Sequence, residues 1–275
     1  MQEFHSRENF KILYLRAPVL ITLFIFACTD IEDVVLENEL DPENPSYVEP
    51  QTIIKPVSQD NFVKNSFVIE WEGIIANMEF SYKRDQQKWS NWTIQTYTTL
   101  NYLDEGPHTF FVKGRYLSGY QEAIPDSISF TTNAVTGPAL RVAPLYKETV
   151  NGDLFNVDLM AEDLSNVAGA EVLLLFDATV LAYQRVESGE FFARAQGDVL
   201  ELSKLKSANL VQINIGAYNG TYRSASGSGV IARVYFKSIK AGQSTLIIQQ
   251  GSTLRDKDNK TLTLNSLVNG IVVVN

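Results

Sequence analysis

Asn166-Val167-Ala168-Gly169-Ala170-Glu171-Val172-Leu173-Leu174-Leu175-Phe176-Asp177 is the stretch on which the fold turns. It predicts a β-strand, and a strand sends successive side chains to opposite faces. With Val172, Leu174 and Phe176 inward, Glu171, Leu173 and Leu175 must point outward. Two leucines on an outer face are unusual for a solvated sheet and predict a surface that is covered or that binds something. By the same parity Leu210-Val211-Gln212-Ile213-Asn214-Ile215-Gly216 sends Ile213 and Ile215 inward, Gln212 and Asn214 outward. Further strands are predicted at Phe155–Ala161, Val180-Leu181, Val230–Lys237, Ser244–Gln250 and Ile271–Val274. Gly137-Pro138 marks where this pattern begins, so residues 138–275 form one all-β unit.

A second period-2 pattern precedes it, over residues 51–136. Strands are predicted at Phe67–Trp71, Met78–Lys83, Trp92–Tyr97, His108–Gly114 and Ser127–Thr131. Aromatic and β-branched enrichment with frequent turns predicts an antiparallel sandwich of about seven strands. Trp89 and Trp92 have two readings. At least one fills the core, as tryptophan does in small sandwiches, or both form a platform on which sugar rings stack. His108 stands alone in this unit and predicts a hydrogen-bonded strand residue, not a catalyst.

Several segments of 138–275 resemble cohesin domains. They are Asn166-x-x-Gly169-Ala170, Phe176-Asp177 with Val180-Leu181, Gly227-Ser228-Gly229-Val230-Ile231-Ala232 running to Tyr235-Phe236-Lys237, and the Lys240-Ala241-Gly242 turn. The resemblance implies a nine-stranded jelly-roll sandwich, in the superfamily fold of several carbohydrate-binding modules. It also implies a partner: cohesins bind a dockerin module through one sheet face, on which the strands matching 170–177 and 210–216 are neighbours. Phe176 stands where the family more usually has Tyr. The run Phe80-Ser81-Tyr82-Lys83, Trp89-Ser90-Asn91-Trp92 and Leu103-Asp104-Glu105-Gly106-Pro107-His108-Thr109-Phe110 resembles immunoglobulin- or fibronectin-III-like domains of bacterial surface proteins. Such a domain serves as a spacer or packing partner.

At the N-terminus, Lys11 and Arg16 precede an apolar run from Ala17 to Ala27 that ends at Cys28. The run is shorter than the ~20 residues a membrane span requires and fits the core of a secretory signal. The ending resembles a lipoprotein lipobox, which implies that residues 1–28 are a signal and that Cys28 carries the lipid. Residues 29–50 hold eight acidic groups and no basic one, with prolines at 42, 45 and 50. Like charges extend a chain, so this segment is expected to be a tether. An acidic stretch after the lipidated cysteine also resembles surface-export signals of Bacteroidetes-type lipoproteins, which implies a surface-exposed anchor in a bacterial outer membrane.

The net charge of −9 over 275 residues is thus almost wholly the tether's, and no basic footprint for nucleic acid is present. One Cys excludes a thiolate cluster, and two His leave little material for a centre that relies on imidazole. Asp256-Lys257-Asp258-Asn259-Lys260 only superficially resembles a calcium loop. An EF-hand needs Gly and Glu where Thr261 and Leu267 stand, and flanking Leu254 and Leu262 predict a hairpin tip instead. No catalytic residue, cofactor or metal is predicted.

The expected protein is a non-catalytic surface lipoprotein, lipid-anchored to the membrane, whose cohesin-like unit docks a dockerin-type partner through Glu171, Leu173, Leu175, Gln212 and Asn214, in polysaccharide use. One alternative is direct carbohydrate binding, with Trp89, Trp92, Tyr218 and Tyr222 as the stacking candidates. The other is a structural envelope component.

Overall fold

The computed structural model describes residue 38 and residues 40–275; Cys28 and the signal segment lie outside them. The chain is all-β, in two sandwiches whose hydrophobic cores share no residue. The first has six strands: β1 (Thr52–Ile54), β2 (Phe67–Gly73), β3 (Glu79–Arg84), β4 (Tyr97–Leu100), β5 (Gly106–Arg115) and β6 (Asp126–Thr132). They form two three-stranded sheets, ordered β1-β2-β4 and β3-β5-β6. The alternation Phe67, Ile69, Trp71 in β2 and Phe110, Val112 in β5 supplies the buried face of each sheet. The strand expected at Trp92–Tyr97 holds one isolated bridge, Thr93 to Phe80, and only its last residue enters β4; six strands stand where about seven were expected. The expected extended tether is, over residues 40–50, laid onto this sandwich. Leu40 and Tyr47 pack against its core, and the Tyr116 hydroxyl donates to the Val48 carbonyl at 2.7 Å. Apolar anchorage there outweighs like-charge extension.

The second sandwich contains β7 (Ala139–Ala143), β8 (Tyr146–Thr149), β9 (Leu154–Val167), β10 (Gly169–Leu175), β11 (Leu181–Ser188), β12 (Asp198–Ser207), β13 (Leu210–Tyr218), β14 (Ala225–Ser238), β15 (Gly242–Ile248), β16 (Thr253–Arg255), β17 (Thr261–Leu262), β18 (Ser266–Val268) and β19 (Gly270–Val274). One sheet is ordered β11-β14-β9-β7-β18 and the other β12-β13-β10-β15-β19-β8, with β16 and β17 attached beside β10. Two consecutive strand pairs with short connections switch sheets, β7 to β8 and β18 to β19. Counting each crossing pair as one strand leaves nine principal strands plus the β16–β17 hairpin. Leu254 faces Leu262 across that hairpin, as its sequence predicts.

At the junction, the Asp104 carboxylate accepts the Leu145 N–H at 2.7 Å and Glu105 accepts those of Ala134 and Val135. Burial pushes the Asp104 carboxyl above the usual aspartate range, against the pull of the Leu145 N–H, Arg141, His108 and Arg84. A carboxyl whose folded value is raised contributes stability that is complete below the unfolded value and is lost as pH rises through the folded one. Asp104→Asn keeps an oxygen for the Leu145 N–H and removes the buried charge. Urea titrations in steps from pH 3.5 to 7 should show wild-type stability falling relative to Asp104→Asn as pH rises. Parallel curves would contradict the assignment.

Candidate functional site

The outer face of the β12-β13-β10-β15 sheet is set by register. Glu171 pairs with Asn214 and Leu173 with Gln212 between β10 and β13. Leu202 pairs with Asn214 and Lys204 with Gln212 between β12 and β13, while Leu175 faces Ile247 of β15. Val172, Leu174 and Phe176 are buried, and Ile213 and Ile215 with them, so the predicted parity of both strands is observed. The five residues singled out on this face therefore lie side by side, and Gln212 Nε2 donates to Glu171 Oε1 at 2.6 Å.

Leucines 173 and 175 differ in surroundings. The Leu173 N–H donates to Ser252 Oγ at 3.0 Å, and its carbonyl accepts the Gln249 N–H at 2.9 Å. The Gln249–Ser252 turn thus lies along Leu173: a Cβ added to Gly251 would stand 3.1 Å from Leu173 Cδ1. Leu173 is half-covered from within its own sandwich. Leu175 lines an open depression with Asn209, Gln243 and Thr245.

A groove of about 410 Å³ runs along the same face, between Leu200 and Leu202 of β12 and Thr253 and Arg255 of β16, floored by Glu171 and Asn214. Asp256 and Asn259 of the hairpin tip form its rim. Asp256 Oδ1 is occupied by the N–H groups of Asp258 and Lys260, at 2.9 and 2.8 Å, so the acidic tip is a self-capped turn. Sequence reasoning missed β12 altogether. Its signal is weak because Asp198-Val199-Leu200-Glu201-Leu202-Ser203-Lys204 places apolar and polar residues on both faces, which blurs a two-residue period.

The four aromatic candidates do not form one platform. Trp89 and Trp92 belong to the first sandwich, Tyr218 and Tyr222 to the second. Trp71, not Trp89 or Trp92, is the core tryptophan; the other two are half-buried. Their faces are covered by cations from β3 and β5. Lys83 and Lys113 lie 5.3 and 4.8 Å from the Trp89 ring centre, and Lys113 and Arg115 lie 5.3 and 4.3 Å from that of Trp92. A sugar would have to displace these side chains. Tyr218 is exposed at one end of the groove, and Tyr222 is exposed outside its lining. Both ring nitrogens of His108 lie 2.8 Å from acceptors, Asp85 Oδ2 and the Asp104 carbonyl, which accounts for this residue structurally. Among the described residues no helix is long and apolar enough to cross a membrane.

Residues 147–274 match the family model described as Cohesin domain. Cell surface glycoprotein 1 of Acetivibrio thermocellus is 23% identical over 203 residues, covering 66% of this chain and 9% of the relative. This chain therefore corresponds to a small part of that protein. Among solved structures, a non-cellulosomal cohesin from the archaeon Archaeoglobus fulgidus is 19% identical, covers 50% of this chain and 90% of its own, and superposes with a TM-score of 0.41. The sixth cohesin of scaffoldin B from Acetivibrio cellulolyticus, solved in complex with a dockerin, is 18% identical, covers 51% of this chain and 100% of its own, with a TM-score of 0.44. The match to the cohesin family model covers 128 of the 275 residues, all of them within the second sandwich.

Proposed function

We propose that this chain is a non-catalytic bacterial surface lipoprotein that presents its cohesin domain to a dockerin-type partner, in a system acting on polysaccharide. The division of labour is a lipid anchor at Cys28, a spacer that ends where residues 40–50 pack on the first sandwich, an immunoglobulin- or fibronectin-III-like unit over 51–136 and the docking unit over 138–275. Pairing of the first unit as β1-β2-β4 against β3-β5-β6 supports its immunoglobulin-like reading. The observation that carries the docking reading is the outer face of the cohesin domain. Leu173, Leu175, Leu200 and Leu202 stand there around the hydrogen-bonded Glu171–Gln212 pair, an apolar centre with polar groups to fix orientation.

Affinity capture from the native secretome with the full chain, followed by mass spectrometry, tests it. Wild type should retain a protein bearing a dockerin module. Leu173→Asp/Leu175→Asp should weaken retention at least about 30-fold, the effect of losing a central apolar anchor. Leu175→Asp alone, away from the Gln249–Ser252 turn, serves if the double variant does not fold. Equal retention by variant and wild type would sink the face, and capture of no dockerin-bearing protein would sink the partner.

A further inference from the structure

β12 ends the larger sheet: it pairs with β13 on one side and, among the described residues, with no strand on the other. It is ten residues long, and Leu200, Leu202 and Leu205 are 51%, 59% and 47% exposed. A long apolar edge is a template for further strand pairing, and edges are ordinarily blunted by charge. β11, the edge of the opposite sheet, fits that expectation, since its exposed Arg185 and Glu187 pair with each other at 2.9 Å. β12 carries its acidic groups, Asp198 and Glu201, in its first half and its basic groups, Lys204 and Lys206, in its second. That polarity is the one an antiparallel copy of the same strand would complement.

We propose that β12 pairs antiparallel with β12 of a second copy of this chain, about a two-fold axis through Leu202. A two-fold axis perpendicular to a sheet requires paired residues to lie on the same face, so their numbers sum to an even value. Centring on Glu201 opposes two carboxylates, and centring on Lys204 opposes two ammonium groups; like charges directly opposite are destabilising. Centring on Ser203 sets Leu202 against Lys204. Centring on Leu202 opposes the two Leu202 side chains, sets Val199 against Leu205 and Glu201 against Ser203, and lays the stem of Lys204 along Leu200. Each acidic end then meets a basic end. The register also covers Leu205, which lies on the inner-facing side of β12 opposite Val211 yet is exposed. The two sheets become continuous, and the two apolar grooves meet along the Leu200–Leu202 rows.

Full-length protein in detergent gives the test by two readouts. Sedimentation equilibrium should show wild type in a monomer–dimer equilibrium, with Leu202→Asp raising the dissociation constant at least tenfold. Under mild oxidation Leu202→Cys should give a disulfide-linked dimer, because facing residues of antiparallel strands have Cα atoms within disulfide reach. Wild type, with only its native Cys28, sets the background. Leu200→Cys and Lys204→Cys should each stay at that background, whereas the double Leu200→Cys/Lys204→Cys chain should cross-link. A monomeric wild type at 100 μM, a dimer insensitive to Leu202→Asp, or cross-linking at position 200 or 204 alone in place of 202 would each overturn the proposal.

Discussion

Phe236→Ala should lower the stability of the second sandwich by about 3–5 kcal/mol, the range for removing a buried aromatic ring. Phe236 lies on β14 and is fully buried. Its ring centre is 5.1 Å from that of Phe176, which follows β10 at the end of the opposite sheet. It is 6.2 Å from Phe155 on β9 and 6.4 Å from Tyr183 on β11. The ring therefore ties the two sheets together at one end. Rigid strands on both sides limit how far the cavity can collapse, which favours the upper part of the range. The three tryptophans, at positions 71, 89 and 92, all belong to the first sandwich. Trp fluorescence thus follows the first unit, and far-UV circular dichroism follows both. In urea, Phe236→Ala should move the dichroism transition to lower concentration and leave the fluorescence midpoint in place. A loss below 1 kcal/mol would remove Phe236 from the role of keystone. Joint movement of both signals would show that the two sandwiches unfold as one.

Strand parity made the central part of the site legible. Alternation along Glu171–Phe176 and Val211–Ile215 assigns every side chain to the face on which it stands, because a sheet with one buried side leaves no freedom of register. Asp256–Lys260 was legible as a turn for a similar reason: the leucines on either side announce a paired hairpin. What failed to show was long-range assembly. Nothing local says that the β16–β17 hairpin would wall the groove, since its pairing with β10 joins residues more than 80 positions apart. β12 escaped notice because an edge strand is solvated on several sides and loses the polar–apolar contrast that marks a central strand. Trp89 and Trp92 misled in the other direction. Large aromatics are expected in a core, but here Lys83, Lys113 and Arg115 alternate with them over the sheet surface, an arrangement that depends on side chains from three separate segments.

The two leucine pairs on the candidate face are not equivalent, and the difference matters for function. Leu173 is half-covered by the Gln249–Ser252 turn, so under the proposed docking its contribution depends on that turn staying in place. Leu200 and Leu202 are open, and they stand on the strand that ends the sheet among the described residues. A partner approaching the face and a second copy approaching the edge would therefore share the same apolar row from different directions. Docking on the face alone predicts sensitivity to Leu175 and Leu200 with no change in oligomeric state. Edge pairing predicts that occupancy of the groove changes with protein concentration.

Glu122→Ala should destabilise the first sandwich by about 2–6 kcal/mol, since it strands two buried backbone donors at about 1–3 kcal/mol each. Glu122 Oε2 accepts the Thr52 N–H at 2.7 Å and Oε1 the Gly114 N–H at 2.8 Å. Thr52 begins β1 of one sheet and Gly114 lies near the end of β5 in the other, so a single carboxylate clasps the two sheets. Glu122→Gln is the discriminating companion. Its one oxygen can satisfy one N–H, but its amide nitrogen then points a donor at the other, so its loss should fall near half that of Ala. Burial pushes the Glu122 carboxyl above the usual glutamate range, while the Gly114 and Thr52 N–H groups hold it down. Wild-type stability from this group is therefore complete below the unfolded value and declines as pH rises through the folded one. The gap between wild type and Glu122→Ala should be widest on the acidic side of that window and narrower at neutral pH, where the two N–H bonds still favour wild type. Trp fluorescence in urea at pH 4 and pH 7 measures both gaps, and a Glu122→Gln chain as stable as wild type at both would show that the clasp does not hold the sheets together.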